Sequence, residues 1–380
     1  MPDNNAPSSA VNRPPPLGPL AGLKVVEFAG IGPGPFACML LSDMGADVVT
    51  VDRPGRRFGD RADITGRGRR VVLADLKNPD ARDEVLRLLE SADALVEGFR
   101  PGVMERLGLG PDDVASRNPR LVYGRMTGWG QHGPLAQAAG HDINYIALTG
   151  ALHAIGTVGG APVPPLNLVG DYGGGSLYLV VGLLAALHEA QRSGRGQVVD
   201  AAITDGVNSL MSLFRTSAMR GHFAETRGTN VLDGGAPYYG TYETADGKYV
   251  SIGPIEPQFF ALLCEQLGVA APLRDAQNDR ARWPALRAEF EHLFRTRSRD
   301  AWTALFEDSD ACFAPVLALS EVAMHPHQVA REAFVDIDGT RHPAPAPRFS
   351  RTPSAIQGPA AAEAWAIGSV AADWATRSAG

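Results

Sequence analysis

The stretch from residue 24 to residue 52 constrains the fold more than any other part of the chain. Residues 24–29 (Lys-Val-Val-Glu-Phe-Ala) are a short β-branched run, and a loop with Gly30, Gly32, Pro33, Gly34 and Pro35 follows. Residues 36–44 have helical spacing, Gly45 closes them, and residues 47–52 (Asp-Val-Val-Thr-Val-Asp) are a second strand-like run. Two strands joined through a helix form a βαβ unit, which makes them parallel neighbours with a right-handed crossover. Further strands are expected at 70–75, 94–97 and 121–126, with a helix over 80–91 behind Pro79. Strand and helix thus alternate through the first third of the chain. The fold class is α/β, with a large Rossmann-like domain built on a doubly wound parallel sheet.

Beyond Gly140 the pattern loosens until a long helix expected near 174–192. A different texture starts near Gly234. Runs at 238–243 and 249–252 flank Ala245-Asp246-Gly247, a hairpin signal, and helices follow at 257–267, 284–295 and 299–307. The expected organisation is a flexible leader over 1–19, a large domain over 20–229, and a smaller α+β domain over 230–325. Residues 326–380, with a last helix near 361–376, are expected to pack back on the large domain. The leader reading rests on six prolines and few large apolar groups. No internal repeat is visible.

Composition removes several functional classes. The 35 basic residues against 42 acidic ones leave a net charge of −7, whereas a nucleic-acid or anionic-membrane binder should be basic. The longest apolar run, 177–187, is too short to span a bilayer and is expected to be a buried helix. No basic-then-apolar pattern marks a secretory signal. Cys38, Cys264 and Cys312 form neither a disulfide framework nor metal-ligand pairs, and Cys38, within an apolar helix, reads as core. His325 and His327 lack further ligands and do not argue for zinc. A cytoplasmic protein with reduced thiols and no metal is the expectation.

Two loops carry chemistry. Gly30, Gly32 and Gly34, with Asp52 ending the next strand, invite a nicotinamide-dinucleotide reading. Pro35 stands at the third fingerprint position, where glycine or alanine is needed for tight helix–strand packing, so the fingerprint is incomplete and a structural turn competes with it. Between 53 and 70 lie seven arginines (Arg53, Arg56, Arg57, Arg61, Arg67, Arg69 and Arg70) against Asp60 and Asp63. Guanidinium forks suit phosphate oxygens, and ligands of open α/β sheets bind beyond the carboxyl ends of strands. A ligand with several phosphates fits this loop better than a nucleic acid does; a merely solvated loop is the bland alternative. Gly98-Phe99-Arg100-Pro101-Gly102, with Arg106, places cations and bare backbone at another strand end.

These residues and others lie in longer motifs: PLAGLKVVEFAGIGPGPFACMLLSDMGADVVTVDRPG, ADLK, EGFRPGVMERLGLGP, RMTGWGQHGP, GHDINYIALTG, PPLNLVGDYGGG, LDGGAPYY and IEPQF. In them the chain resembles the family III CoA-transferase superfamily, and within it the α-methylacyl-CoA racemases, from about Leu20 to near the C-terminus. The resemblance implies a large Rossmann-like domain, a small domain, and an interlocked homodimer in which each chain threads through its partner. Coenzyme A would account for the basic loop, since its adenosine end carries a 3′-phosphate and a diphosphate. Contacts with the acyl-CoA thioester implied by motif are Arg53, Ala74, Asp75, Leu76, Lys77, Gly98, Phe99, Arg100, Arg106, Gly140, Asp142, Ile143, Asn144 and Tyr145.

The activity implied is interconversion of (2R)- and (2S)-2-methylacyl-CoA thioesters by proton transfer through an enolate. That chemistry needs a base, an acid on the opposite face and enolate stabilisation, with no metal, nicotinamide or other cofactor. By resemblance His141 is the histidine base and Asp171 its carboxylate counterpart. Glu256 matches the glutamate that hydrogen-bonds the histidine. The glycine-rich stretch after Asp171 is expected to open the long helix, whose N-terminal amides favour negative charge. Taken singly, Asp171 reads as a helix N-cap, His141 as a loop hydrogen-bonder and Glu256 as solvated; their joint presence in matching motifs reads as a site. The superfamily's transferases use the same aspartate as a nucleophile, passing CoA between carboxylic acids through an aspartyl-CoA thioester. His141, where transferases carry tyrosine or phenylalanine, and the short run Gly234-Gly235 favour the racemase.

Overall fold

Six parallel strands organise the first part of the molecule, seen here in a computed structural model that describes residues 17–377. Apart from residues 17–19, the expected leader lies outside the described residues. β1 (Lys24–Phe28), β2 (Asp47–Asp52), β3 (Arg70–Leu73), β4 (Ala94–Glu97), β5 (Val122–Thr127) and β6 (Val198–Ala202) lie in the order β3-β2-β1-β4-β5-β6. Every neighbouring pair is parallel. This is the doubly wound order, in which the chain turns from one direction to the other beside β1.

Alternation along the strands separates the two faces. Val26 and Phe28 of β1, with Val49, Val51, Val72 and Leu95, pack under α2 (Pro79–Leu89) and the C-terminal helix (Ile367–Arg377). Glu27 points the other way, toward Cys38 of α1 (Pro33–Asp43). Pro33 starts α1, where a missing N–H costs nothing. The short α3 (Asp142–Ala147) and a nine-residue π-helix (Leu168–Ser176) follow, and the π-helix runs directly into α4 (Leu177–Ser193). The helix therefore starts six residues before the expected boundary at 174, and over Leu168–Ser193 it is long and apolar enough to cross a membrane by length and composition. Only 39% of its most apolar stretch is buried. The apolar run expected to be buried thus lies in a helix longer than the expected 174–192, and less than half of that stretch is buried.

Glycines explain the wide π-turns. A Cβ at Gly174 would press on Val207, and one at Gly206 would overlap the Gly174 carbonyl oxygen, so α5 (Ile203–Leu210) lies backbone to backbone against the π-helix. β6 had no clear signal in the sequence, because Asp200 interrupts a run of only five residues.

Contacts divide the chain into two units. The first comprises residues up to 149, 166–210 and from 332 onward; the second comprises 150–165 and 211–331. The boundaries thus differ from 229/230 and 325/326. Residues 150–165 join the second unit through Arg227, whose guanidinium donates to the His153 and Gly160 carbonyls at 2.8 and 2.7 Å. The second unit is α+β. β7 (Gly240–Glu243), β8 (Tyr249–Ile252) and β9 (Phe313–Pro315) form an antiparallel sheet backed by α6 (Pro257–Leu267), α7 (Trp283–Phe294) and α8 (Arg299–Phe306). Leu286, Phe290 and Phe294 recur at four-residue steps on the buried face of α7, and Tyr242 stacks on Phe294 at 5.2 Å.

Candidate active site

The residues expected to meet a ligand gather along the carboxyl edge of the first unit's sheet. Arg53 follows β2, Ala74, Asp75, Leu76 and Lys77 follow β3, and Gly98, Phe99 and Arg100 follow β4, with Arg106 in the next short helix. Arg53, Lys77, Arg100 and Arg106 are exposed, whereas Ala74 is buried and its amide donates to the Asp52 carbonyl at 2.8 Å. The dinucleotide alternative meets an obstacle here: Asp52 accepts from the Arg53 amide and from Arg56 Nη1, both at 2.7 Å, so its carboxylate is already committed.

The basic loop has a different use from the one expected of it. Arg67 is buried against Asp43 at 2.5 Å and also donates to the Pro343 carbonyl. Arg69 pairs with buried Glu27, and Arg70 bridges Asp47 at 2.5 Å and Asp373 at 2.9 Å. Four of the seven arginines, Arg56 included, thus serve internal ion pairs, which anchor this loop and the C-terminal segment to the edge of the sheet. Arg53, Arg57 and Arg61 are exposed. Behind the Gly30–Gly32 loop lies a cavity of about 260 Å³ lined by Glu27, Thr50, Arg56, Arg69 and Tyr172.

At the end of β4, burial pushes the Glu97 carboxyl up to about 7, outweighing the Phe99 amide that donates to it at 2.8 Å and the Arg125 charge. A carboxyl raised by folding stabilises the protein fully below its ordinary range near 4.5, and that stability is lost as pH rises through about 7. Glu97→Gln is therefore expected to gain stability over the parent between pH 4.5 and 7, by up to about 3 kcal/mol. Thermal melts across that range check it; a difference that does not change with pH would contradict the raised carboxyl.

The strongest cluster lies at the end of β1, where the sheet reverses its winding. Gly32, at φ 70°, faces Asp171 so closely that a Cβ there would stand 3.0 Å from Oδ2. Asp171 sits in the first turns of the π-helix, with Asn167 Nδ2 at 3.4 Å from Oδ2. Burial raises the Asp171 carboxyl above its usual range and the neighbouring Asp142 charge adds to this, while the Asn167 hydrogen bond and the His141 imidazole pull it down. His141 precedes α3 in extended conformation, is exposed, and its amide donates to Asn144 Oδ1 at 3.0 Å. A partly desolvated carboxyl thus lies at the sheet's switch point, within electrostatic reach of an exposed imidazole.

Several side chains assigned to a ligand by motif are already engaged. Asp142 accepts from the amides of Gly170 and Asp171, Asn144 from the His141 amide, and the Tyr145 phenol donates to the Gly140 carbonyl. Trp129 packs edge-on to Tyr145 at 4.8 Å, and Gly128 leaves room for that ring. What this loop offers a ligand is therefore its backbone and the half-exposed Ile143. The expected use of the long helix's N-terminal amides for developing negative charge also needs revision. That helix begins earlier, and the Gly170 and Asp171 amides already hold Asp142. Asn167, Gly128 and Trp129 lie within the motifs quoted above, but residue type alone gave them no chemical role; Gly32 was read as part of a dinucleotide loop rather than as a neighbour of Asp171.

Glu256 belongs to the second unit, preceding α6, and is exposed. Burial, then the charges of Glu256 and Asp310, push the Cys312 thiol up. Gly234 and Gly235 line a cavity of about 1220 Å³ within that unit, with Thr157, Tyr239, Trp283 and Arg287. Among the described residues, no cluster of three or more histidine, cysteine or acidic side chains could hold a metal ion.

Comparison with known proteins extends these observations. The family model described as CoA-transferase family III matches residues 20–363. The chain is 44% identical over 336 residues to the α-methylacyl-CoA racemase of Mus musculus, covering 88% of this chain and 87% of that one. It is 31% identical over 379 residues to the succinyl-CoA–D-citramalate CoA-transferase of Chloroflexus aurantiacus, covering 91% and 92%. Among solved structures, a CaiB/BaiF family protein from Brucella suis superposes with a TM-score of 0.80 at 26% identity, covering 94% of this chain and all of that one.

Proposed function

The chain belongs to CoA-transferase family III, and from that premise we propose that it is an α-methylacyl-CoA racemase. The observation that carries the reading is an imidazole at the position of His141, adjacent in sequence to Asp142, whose carboxylate holds the Asp171 amide at 2.7 Å where Asp171 faces Gly32 at the carboxyl end of β1. A transferase needs only the carboxylate as nucleophile; inverting a carbon centre needs a second proton carrier. The higher identity to a racemase than to a transferase supports the same choice.

In the proposed reaction, one of His141 and Asp171 takes the proton from C2 of a 2-methylacyl-CoA. The C–H electron pair moves into an enolate on the thioester oxygen, and the other group returns a proton to C2 from the opposite face. No electrons are gained or lost, so the step needs no redox cofactor. A carboxyl raised by burial is the better base for so weak a carbon acid, which is how desolvation of Asp171 serves the step. Coenzyme A would lie along the edge carrying Arg53, Lys77, Arg100 and Arg106. Leu168, Leu177 and Val181 form an exposed apolar stripe, which supports a homodimer whose second copy covers it.

The test incubates one epimer of a 2-methylacyl-CoA in D₂O. Deuterium at C2 of both epimers is the expected result. No exchange, together with passage of CoA to an added carboxylic acid, would make the protein a transferase instead.

A further inference from the structure

The Tyr172 amide donates to the Asn167 carbonyl five residues back, at 3.2 Å, closing a π-turn. Ahead of that turn stand the amides of Gly170 and Asp171, which the helix itself leaves without acceptors. Asp142, only 8% exposed, reaches across from the start of α3 and accepts both of them, with the Asp171 amide 2.7 Å from Oδ2. The fit is close. A Cβ on Gly170 would overlap that same oxygen, so glycine at 170 is what lets the carboxylate reach its amides. The other oxygen, Oδ1, is buried without a partner.

We infer that Asp142 is a positioning residue rather than a ligand for coenzyme A: its carboxylate locks the Asp171 backbone to the residue following His141, fixing the spacing of the two proton carriers. Because Asp142 is adjacent to His141 in sequence and bonded to Asp171 in space, one side chain connects both. Its charge has a second effect: it helps hold the Asp171 carboxyl above its usual range. The groups that act on Asp171 are His141, Asn167 and Asp142, and the Tyr145 phenol is itself raised by burial and by the Asp171 charge. This inference rests on the racemase reading for its activity readout only.

Two substitutions test it in the full-length protein. Asp142→Asn keeps one oxygen to accept the amides and removes the charge. It is expected to shift the acid limb of the pH–kcat profile to lower pH and to leave the KM for the acyl-CoA within about twofold. Asp142→Ala removes the acceptor, and the misplaced carboxylate is expected to cost roughly 100-fold in kcat with KM again little changed. A rise in KM at unchanged kcat in either variant would make Asp142 a substrate contact and overturn the inference, as would an Asn variant whose pH profile does not move. A parent protein that fails to exchange deuterium refutes the racemase reading alone. The carboxyl carbon resonance of Asp171, titrated by NMR in parent and Asp142→Asn, reads the same charge effect without turnover. Should that titration not move to lower pH in the variant, the inference fails whatever the activity.

Discussion

Replacing His141 by alanine is expected to lower the rate of epimerisation by roughly 10³–10⁴-fold, the range for losing a positioned acid–base group. The dissociation constant for the acyl-CoA should stay near the parent value, because the exposed cations of the sheet edge are untouched. Asp171→Asn should behave alike, for the same reason. A sharper signature follows from having carriers on opposite faces. With one carrier gone, the other can still take a proton from its own side and return a deuteron there. Each variant should therefore exchange the α-proton of one epimer only, without inversion, and the two variants should prefer opposite epimers. Chiral analysis of the recovered thioesters after incubation in D₂O reads this directly. Inversion at the parent rate in either variant would remove that residue from the mechanism.

Gly206→Ala is expected to have the largest effect on stability for the smallest chemical change. One methyl group at that position overlaps the carbonyl oxygen of Gly174, and backbone cannot rotate out of the way as a side chain can. Overpacking of this kind costs about 1–3 kcal/mol in ordinary cores, and here α5 must move away from the helix that carries Asp171. A lowered melting temperature should accompany a loss of activity larger than the melt alone explains, because a shift near 1 Å is worth roughly 100-fold in rate. Gly34→Ala is the matched control. Nothing lies within 4 Å of its Cβ position, so the melting temperature should be unchanged. If both variants melt like the parent, the close packing of α5 on the π-helix is wrong.

The parts of the fold readable in advance were those with a strong local period. β1, β2 and β4 have apolar runs bounded by glycine or acidic residues, and α6 begins at Pro257 and ends before Gly268, as its spacing predicts. What escaped was nonlocal. β9 has three residues and gains its identity only from β8, and the discontinuity of the first unit has no marker in local composition. The π-helix was hidden because glycine-rich sequence reads as loop, although here glycine serves close helix packing. The basic loop shows the limit of counting charges: seven arginines suggested a phosphate cradle, but Arg67, Arg69 and Arg70 find their anions inside the protein. In the candidate site, His141 and Asp171 were identifiable by motif, but the bonding of Asp142 to the Asp171 amide depends on two segments 29 residues apart meeting in space.

The C-terminal segment touches the oldest strands of the chain. Trp365 bridges to Val72 at the outer edge of the sheet, Trp374 Nε1 donates to Asp47, and the Lys24 ammonium donates to the Trp374 carbonyl. β3 must therefore wait for a segment nearly three hundred residues further along the chain before it loses its bare flank and the core beneath α2 is sealed. A nascent chain that lacks this segment still carries an open, pairing-competent margin, the kind of surface that recruits chaperones or neighbouring copies. Clipping the tail should for this reason act on the whole first unit, converting a local cut into failed maturation.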